Sequence, residues 1–340
     1  MKNAWYVAGW SKAFGQVLTP LKILGEEIVF FRCDDGTPAA LEDACPHRKL
    51  PLSRGTLLGD RVECGYHGLT FDGSGTCVAI PTQEGVIPKD CRVHSYPLAE
   101  RCDLLWIWMG DPEKADPALI YDIPNYDNPA WGKTPGGAME IACHYLHITD
   151  NLLDPSHVAW VHRSSFAGGG TDSVPLKIDG LGDGILVWRW VPDQPLPPFY
   201  ADLVAFEGNC DRKQHYECRV PSLAINKSIF SPAGTGGDED ALPADAFVNI
   251  SYNFITPVDE DNSRYFWFQH RNGDPDNETV SQKMFEGATM AFKEDRDILT
   301  YVHEGLKKAK RPPVFLRLDV GASRFRKIVD QRIAAEQAAD

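Results

Sequence analysis

Short apolar runs broken by turn-forming residues fill the first third of the chain. Strand character is clear at 27–32 (E-I-V-F-F-R) and at 104–109 (L-L-W-I-W-M). Between them, 69–71 (L-T-F) leads into 72–75 (D-G-S-G), a sequence typical of a hairpin turn. No amphipathic helix of any length is indicated here. The pattern predicts an all-β domain over residues 1–115.

The pattern changes in the second part. Residues 139–145 are expected to be a strand that leads into a helix. Further strands are predicted at 185–191, 217–220, 225–230, 247–256 and 265–269, and helices near 279–306 and 323–336. Antiparallel strands followed by long helices give an α+β order, so we expect an α+β multidomain protein. The second domain is placed at 138–340, after an ordered connection rich in Pro and Asp that ends at about 137.

An acidic residue interrupts the apolar face of the first long helix. Its apolar positions recur at helical spacing: Phe285, Ala288, Phe292, Leu299 and Val302. The step missing between Phe292 and Leu299 falls on Asp295. Because burying an unpaired carboxylate is very costly, Asp295 should be paired, protonated or bound to a metal ion. Its neighbours Glu294 and Asp297 are predicted to be surface charges.

Two histidines lie close together in 151–163 (N-L-L-D-P-S-H-V-A-W-V-H-R). Non-haem Fe(II) sites use two His and one carboxylate, which His157, His162 and Asp295 can supply. Two side chains that are five residues apart on a regular helix point about 140° away from each other around the helix axis. Both can bind one ion only if the helix is distorted, which Pro155 favours. The alternative is a polar helix end with two hydrogen-bonded imidazoles.

Two loops of the first domain pair a cysteine with a histidine. Cys45-Pro46-His47 is C-x-H, and after sixteen intervening residues Cys64-Gly65-Tyr66-His67 is C-x-x-H. Two Cys and two His suit a structural zinc ion or a Rieske [2Fe–2S] cluster. Zinc fingers usually pair Cys with Cys and His with His, whereas each loop here offers one of each. The alternation favours the cluster.

These loops resemble the Rieske domain of Rieske non-haem iron oxygenases. The resemblance extends to Lys293-Glu294-Asp295 and to 150–154 (D-N-L-L-D), and within the family it is strongest to the short, α-only members. Those include vanillate O-demethylase oxygenase components and dicamba monooxygenase. The resemblance implies a helix-grip catalytic domain, in which a long helix packs in the concave face of a sheet.

The resemblance also assigns roles to site residues. Cys45 and Cys64 would hold one iron of the cluster, and His47 and His67 the other. His157, His162 and Asp295 would then hold the mononuclear Fe(II). Asp154 would connect a Rieske His of a neighbouring subunit to an iron-binding His, and Asn151 would face the iron without binding it. The centres are far apart within one chain of the family, so a head-to-tail homotrimer is expected.

The implied function is that of a terminal oxygenase. A separate ferredoxin- or flavin-type reductase would pass electrons from NAD(P)H, and O₂ and a small aromatic molecule would be the substrates. The leading hypothesis is O-demethylation of a methoxybenzoate such as vanillate to a phenol and formaldehyde. Ring hydroxylation and methyl, N-methyl or sulfonate oxidation remain alternatives, and a pure electron carrier is a weaker one. Asn226 and Asn253 are candidate substrate contacts, since amides on inner strands can bond a carboxylate or phenol.

The composition of the chain excludes some classes of binding partner and indicates a cellular compartment. The formal net charge is −14, which argues against nucleic acid and anionic membranes. The nine Cys are odd in number and scattered, unlike a secreted disulfide framework. No run of eighteen apolar residues and no signal-peptide pattern is present, so a cytoplasmic protein is expected. His144 and His147, just before the iron motif, are left without an assigned role.

Overall fold

A computed structural model describes residues 1–163, 166, 174–235 and 238–338. The chain forms two compact units, Met1–Asp122 with Thr256–Asp259, and Ile123–Ile255 with Glu260–Asp340. The division between Asp122 and Ile123 falls inside the segment that the sequence predicts to connect the domains. Residues 256–259 return to the first unit, an excursion that no feature of the sequence indicates.

The described part of the first unit is built from short antiparallel strands. They are β1 (Trp5–Trp10), β2 (Thr19–Ile23), β3 (Glu26–Arg32), β4 (Pro38–Glu42), β5 (Thr56–Leu58), β6 (Arg61–Glu63), β7 (Thr70–Asp72), β8 (Cys77–Ala79), β9 (Leu98–Arg101) and β10 (Leu104–Trp108). They form three sheets in the orders β1-β10-β9, β2-β3-β4 and β5-β6-β7-β8. The all-β prediction is confirmed.

Burial on both faces explains the apolar runs of this unit. In β3, the residues from Ile28 to Phe31 are all buried. Ile28 and Phe30 pack into one core, whereas Val29 and Phe31 pack into another. A strand between two cores needs apolar side chains on both faces, so its sequence is continuous rather than alternating. The second core contains Cys45 and Cys64, so it supports the two Cys–His loops.

One antiparallel sheet dominates the second unit. Its strands are β11 (Gly132–Lys133), β12 (Gly137–Ile141), β13 (Lys177–Gly180), β14 (Gly184–Gln194), β15 (Cys210–Arg219), β16 (Leu223–Pro232), β17 (Phe247–Pro257) and β18 (Ser263–Arg271). The order is β11-β18-β17-β16-β15-β14-β13, with β12 also on β18. β15 begins well before the predicted 217–220, because 211–215 are polar yet form part of the strand.

Four α-helices in the described residues accompany the sheet, and three of them share one apolar core with it. The four are α1 (Tyr145–Leu152), α2 (Val158–Val161), α3 (Glu278–Lys308) and α4 (Val320–Gln337). Leu146 of α1, Leu299 of α3 and Phe325 of α4 share a core with Val187 and Trp267 of the sheet. This confirms the α+β prediction for the second domain. No helix in the described residues has the length and hydropathy needed to cross a membrane.

The ends of α3 are set by local chemistry. The Asn277 side chain accepts a hydrogen bond from the Val280 N–H at 3.1 Å, and Glu278 lies in the first turn. Lys307 and Lys308 lie in the last turn, so both ends carry charges that suit the helix dipole. The predicted apolar stripe is wrong at its end, since Val302 is exposed and His303 is buried.

Candidate metal centres and substrate cavity

The two Cys–His loops present all four predicted ligand side chains. Cys45 and Cys64 are each 2% exposed, whereas His47 is exposed and His67 is half-buried. The two imidazole rings lie 4.7 Å apart between centroids. Sulfur on the protein side and imidazole on the solvent side is the division that a Rieske cluster requires, with two thiolates on one iron and two imidazoles on the other.

Both loops make the same backbone turn, although their motifs differ by one residue. The N–H of Lys49 donates to the Cys45 carbonyl at 2.8 Å, and that of Gly68 to the Cys64 carbonyl at 3.0 Å. The residue four positions after each cysteine has a positive φ, 58° at Lys49 and 74° at Gly68. The turn therefore positions each cysteine alike, and glycine is the residue that adopts it without strain.

The surroundings of Cys45 fit an iron-bound sulfur. Burial raises the pKa of the Cys45 thiol; the backbone N–H groups of His47 and Arg48 oppose that rise, and the neighbouring Cys64 reinforces it. A buried thiol gives up its proton when a metal ion replaces it, and N–H groups aimed at the sulfur stabilise the resulting thiolate. A Cβ atom at Gly65 would lie only 2.9 Å from the Arg54 carbonyl oxygen, so the second loop depends on glycine there.

The second centre is built on an interrupted helix. α1 ends at Leu152, Pro155 is buried in the break, and α2 is a single turn. His157 lies at the start of α2 and His162 at its end. The distortion that the five-residue spacing requires is therefore present, since Pro has no N–H to continue the ladder. The two rings are 5.3 Å apart between centroids.

Asp295 of α3 completes the group. Its Oδ1 lies 3.6 Å from Nε2 of His157 and 3.3 Å from Nε2 of His162. One donor atom from each of the three residues lies within 4.8 Å of the others. Asp295 is 6% exposed and His162 is 4% exposed. Two imidazoles and one carboxylate converging in a buried place fit a mononuclear non-haem iron.

Each iron-facing imidazole has an acceptor at its outer nitrogen. Nδ1 of His157 contacts the backbone carbonyl of Asp154, and Nδ1 of His162 lies 2.7 Å from Oε2 of Glu294. An acceptor there favours the proton on Nδ1 and leaves the Nε2 lone pair for a metal ion. The prediction that Glu294 is a surface charge is wrong. It is one residue, about 100°, around α3 from Asp295, close enough to reach the back of the same ring.

Electrostatics at His162 also suit a cation. Burial alone lowers the pKa of His162, but hydrogen bonds and charges from Asp295 and Glu294 outweigh it and raise the pKa above its usual value. Two carboxylates thus stabilise positive charge at this ring. Asn151 adds a neutral contact, its Nδ2 donating to Oδ1 of Asp295 at 3.3 Å.

A cavity of about 110 Å³ adjoins these residues. A single water needs only about 10–15 Å³ by such a measure, so the space is on the order of one aromatic ring. Its wall includes His157, His162 and Asp295. The other lining residues are apolar, aromatic or polar: Leu152, Val158, Phe166, Tyr200, Arg212, Tyr216, Asn226, Ser228, Asn249, Ser251, Gln269, Ala288, Ala291 and Phe292.

The two predicted substrate amides are placed differently. Asn226 lines the cavity, but its Nδ2 donates to the Leu152 carbonyl at 3.1 Å and its Oδ1 accepts from Asn253 at 3.1 Å. Asn253 is 0% exposed and bonds Tyr265 and backbone groups. Asn253 is not among the lining residues, so it orients Asn226 and β17 rather than facing the cavity.

Comparison with known proteins identifies the domains. Residues 4–97 match the Rieske [2Fe–2S] domain, and residues 141–335 match the vanillate O-demethylase oxygenase C-terminal domain.

The chain belongs to the vanillate O-demethylase oxygenase family.

As a member of this Rieske oxygenase family, the chain carries a [2Fe–2S] cluster and a mononuclear iron, and it is a terminal oxygenase component. Because residues 141–335 match the oxygenase domain, the alternative that the chain is only an electron carrier is excluded.

Full-length relatives carry out different reactions. The chain is 37% identical to the iron–sulfur subunit of the toluene-4-sulfonate monooxygenase system of Comamonas testosteroni, covering 99% of this chain and 98% of the relative. It is 36% identical to a vanillate O-demethylase oxygenase subunit of Pseudomonas sp. (strain HR199 / DSM 7063), covering 99% and 96%. Dicamba monooxygenase bound to 3,6-dichlorosalicylic acid superposes with a TM-score of 0.90 at 29% identity, covering 99% and 98%.

Asp154 and the two histidines that precede the iron motif have local contacts. The Asp154 carboxylate accepts from the Ser156 N–H at 2.8 Å, whereas its carbonyl meets His157. His144 caps α1, its Nδ1 accepting from the Leu146 N–H at 3.3 Å. The ring of His147 packs 5.5 Å from that of His303, between centroids, and burial first, then Arg326, lowers the pKa of His147 to about 4. His144 and His147 therefore hold α1 in place.

Proposed function

We propose that the protein O-demethylates a methoxybenzoate such as vanillate. The methyl carbon is hydroxylated with one oxygen atom of O₂, and the other becomes water with two electrons and two protons. The resulting hemiacetal breaks its carbon–oxygen bond to the methyl carbon, giving a phenol and formaldehyde. The observation that carries the proposal is the His157, His162 and Asp295 group in the wall of a cavity of about 110 Å³. A ring bound there presents a substituent to those three residues.

The proposal assigns each centre its ligands. Cys45, Cys64, His47 and His67 hold the cluster, and His157, His162 and Asp295 hold the iron. When bound there, reduced iron supplies the O₂ chemistry that hydroxylates an unactivated methyl group.

The chain's own groups prepare this site. Glu294 and the Asp154 carbonyl keep a proton on Nδ1 of each imidazole, so that Nε2 is available. Asn151 holds the Asp295 carboxylate through Nδ2. Apolar side chains such as Leu152, Ala288 and Phe292 line the cavity and exclude water from the reacting methyl group.

Electron supply and assembly belong to the same proposal. A separate reductase passes electrons from NAD(P)H to the Rieske cluster, and the chain works as a homotrimer in which the cluster of one subunit serves the iron of the next. The exposed ring of His47 supports this, because an exposed ligand edge allows close approach of an electron donor or acceptor. Asp154, whose carbonyl contacts His157, is the proposed contact for a Rieske histidine of the neighbouring subunit.

Oxidation of the methyl group of an aryl sulfonate is a second candidate. The relatives of the toluene-4-sulfonate system match at 37% identity over nearly the whole chain, slightly above the vanillate relative. The same iron group and one-ring cavity suit a methyl group on carbon as well as one on oxygen.

An aerobic turnover assay separates the two. Iron-reconstituted protein, a reductase and NADH are supplied with vanillate or with toluene-4-sulfonate, and formaldehyde and ring products are measured. Formaldehyde with a demethylated phenol supports the proposal, whereas a hydroxymethyl product from the sulfonate alone supports the second candidate. Asp295→Ala should give no product, and Asp297→Ala on the exposed side of the same helix should react like wild type.

A further inference from the structure

Arg212 of β15 is buried with much of its charge unpaired. The residue is 5% exposed, and its Nε and Nη1 atoms have no hydrogen-bond partner in the described part of the chain. The other two buried arginines there make more hydrogen bonds, although Nε of Arg271 also lacks a partner. Nε of Arg189 donates to Gln214 at 2.6 Å, and the Nη atoms of Arg271 donate to Ser281 and to two carbonyls. Hydrogen bonds therefore compensate Arg212 less for its loss of water than they compensate Arg189 or Arg271.

The Arg212 side chain lines the same cavity as the iron group. Arg212 shares the wall with His157, His162 and Asp295, and its Cζ lies 5.5 Å from the centre of the Phe230 ring. A buried guanidinium is stabilised by a planar group with two oxygens, which it binds through two parallel N–H donors. Arg212 thus brings two N–H donor atoms without a protein partner to the wall of a space suited to one ring.

Two further unpaired atoms in the wall are acceptors. Oδ1 of Asn249 and Oε1 of Gln269 are buried, and both lack a partner among the described residues. They suit a ligand that carries a hydroxyl donor besides its anion. Since three lining side chains have unsatisfied polar atoms, a polar ligand completes this wall better than an apolar one would.

We infer that Arg212 binds the anionic group of the substrate, so that the cavity selects a one-ring aromatic carboxylate or sulfonate over its neutral counterpart. The inference rests on the proposed function for the location of the reaction, but it concerns which molecules bind there. The sequence did not indicate this residue, because the C-D-R-K-Q-H-Y stretch around it has no apolar alternation.

Binding is tested without turnover, on iron-reconstituted full-length protein lacking reductase. Vanillate, toluene-4-sulfonate and the uncharged methyl ester of vanillate are titrated while the melting temperature and the intrinsic fluorescence are recorded. Wild type should bind at least one of the acids about 10- to 100-fold more tightly than the ester. Arg212→Met should lose that preference, and Arg212→Lys should keep part of it, since the charge remains without the planar fork. The acid that binds more tightly shows whether the site prefers a carboxylate or a sulfonate.

Stability gives a readout that does not depend on a ligand. Replacing an unpaired buried charge with an apolar side chain of similar length should raise the melting temperature of the ligand-free protein by roughly 2–4 °C. Arg189→Met is the matched control. It removes a buried arginine that is hydrogen-bonded and outside the cavity wall, so it should lower the melting temperature and leave the preference for the acid intact.

The outcomes distinguish this inference from the proposed function. Wild-type preference for an acid that Arg212→Met abolishes supports the inference, even if no methoxybenzoate is demethylated, in which case only the proposed function fails. Equal binding of acid and ester by wild type overturns the inference. So does binding of neither acid, or an acid preference that Arg212→Met retains.

Discussion

Oε2 of Glu294 lies 2.7 Å from Nδ1 of His162, while Nε2 of the same ring faces Asp295 at 3.3 Å. Consecutive residues of α3 therefore contact opposite sides of one imidazole. A carboxylate behind a metal-binding histidine fixes its tautomer and makes it a better ligand. The pair gives Glu294 a positioning role at the proposed iron site.

Replacing Glu294 should weaken iron binding without emptying the cluster site. Glu294→Ala is expected to lower the affinity for Fe(II) about 10- to 100-fold, because His162 loses the acceptor at Nδ1. Competition with a chromophoric chelator measures that affinity. Glu294→Gln should recover part of it, since an amide oxygen can accept the same hydrogen bond. Asp297→Ala is the control on the same helix, and an unchanged affinity in Glu294→Ala would refute this role.

Removing one sulfur should abolish the cluster. Cys64→Ser is expected to lose the visible absorbance of the [2Fe–2S] centre and the matching electron paramagnetic resonance signal after reduction. The reason is that a serine oxygen is a poor replacement for a buried thiolate that binds iron. Cys33→Ser, a half-buried cysteine of the same unit outside the two loops, should retain both signals. A normal cluster in Cys64→Ser would mean that the ligands are assigned wrongly.

The turn at Lys49 should accept glycine and reject a β-branched residue. With φ at 58°, Lys49→Val is expected to destabilise the first unit by about 1–2 kcal/mol. Lys49→Gly should unfold at the wild-type temperature or above it. Thermal melts followed by cluster absorbance measure both, with Arg48→Val, at the adjacent exposed position, as the control. Equal melting of the Val and Gly variants would show that the turn bears no strain.

Acid should destabilise the protein partly through His270. This side chain is 0% exposed among Tyr126, Tyr252 and Phe268. Burial first, then Lys133, lowers the pKa of His270 from 6.5 to about 4. The unfolded chain therefore takes up a proton at a higher pH than the folded one. The free energy of unfolding contributed here is fully present above pH 6.5 and is lost as the pH falls from 6.5 towards about 4.

His270→Phe isolates that contribution. The variant keeps an aromatic ring in the same place, so its free energy of unfolding should fall less between pH 7 and pH 5 than that of wild type. Denaturant titrations at both pH values measure the difference. An identical pH dependence in the two proteins would exclude His270 as a source of acid sensitivity.

Residue patterns predicted more of the fold and of the iron group than of the cavity. Asp295 could be singled out because an acidic side chain on an apolar stripe is costly, and His157 and His162 because two nearby histidines can join one carboxylate around non-haem iron. Glu294 was misjudged because periodicity describes one stripe of a helix, whereas a long side chain at its edge can still reach inward. Val302 was misjudged similarly, because His303 takes the buried position one residue later.

The rest of the cavity wall, apart from the iron group and Asn226, escaped prediction for a different reason. Arg212 lies in a polar run that carries no period-two signal, because polar residues are buried along this part of β15. Asn253 was expected to contact the substrate, yet its amide bonds Asn226, Tyr265 and backbone atoms. Which inner-strand amide faces a cavity depends on register and on neighbours from distant strands, and one strand's sequence does not contain that information.

The interrupted helix and α3 have a joint consequence for assembly of the protein. His157 and His162 come from a single helical turn that follows a proline break, and Asp295 comes from a helix more than a hundred residues later. An ion shared by all three is a cross-link between distant parts of the second unit, formed only when both have folded. Iron therefore binds late in folding and stabilises the folded catalytic domain. Heat resistance of that domain should track its iron content.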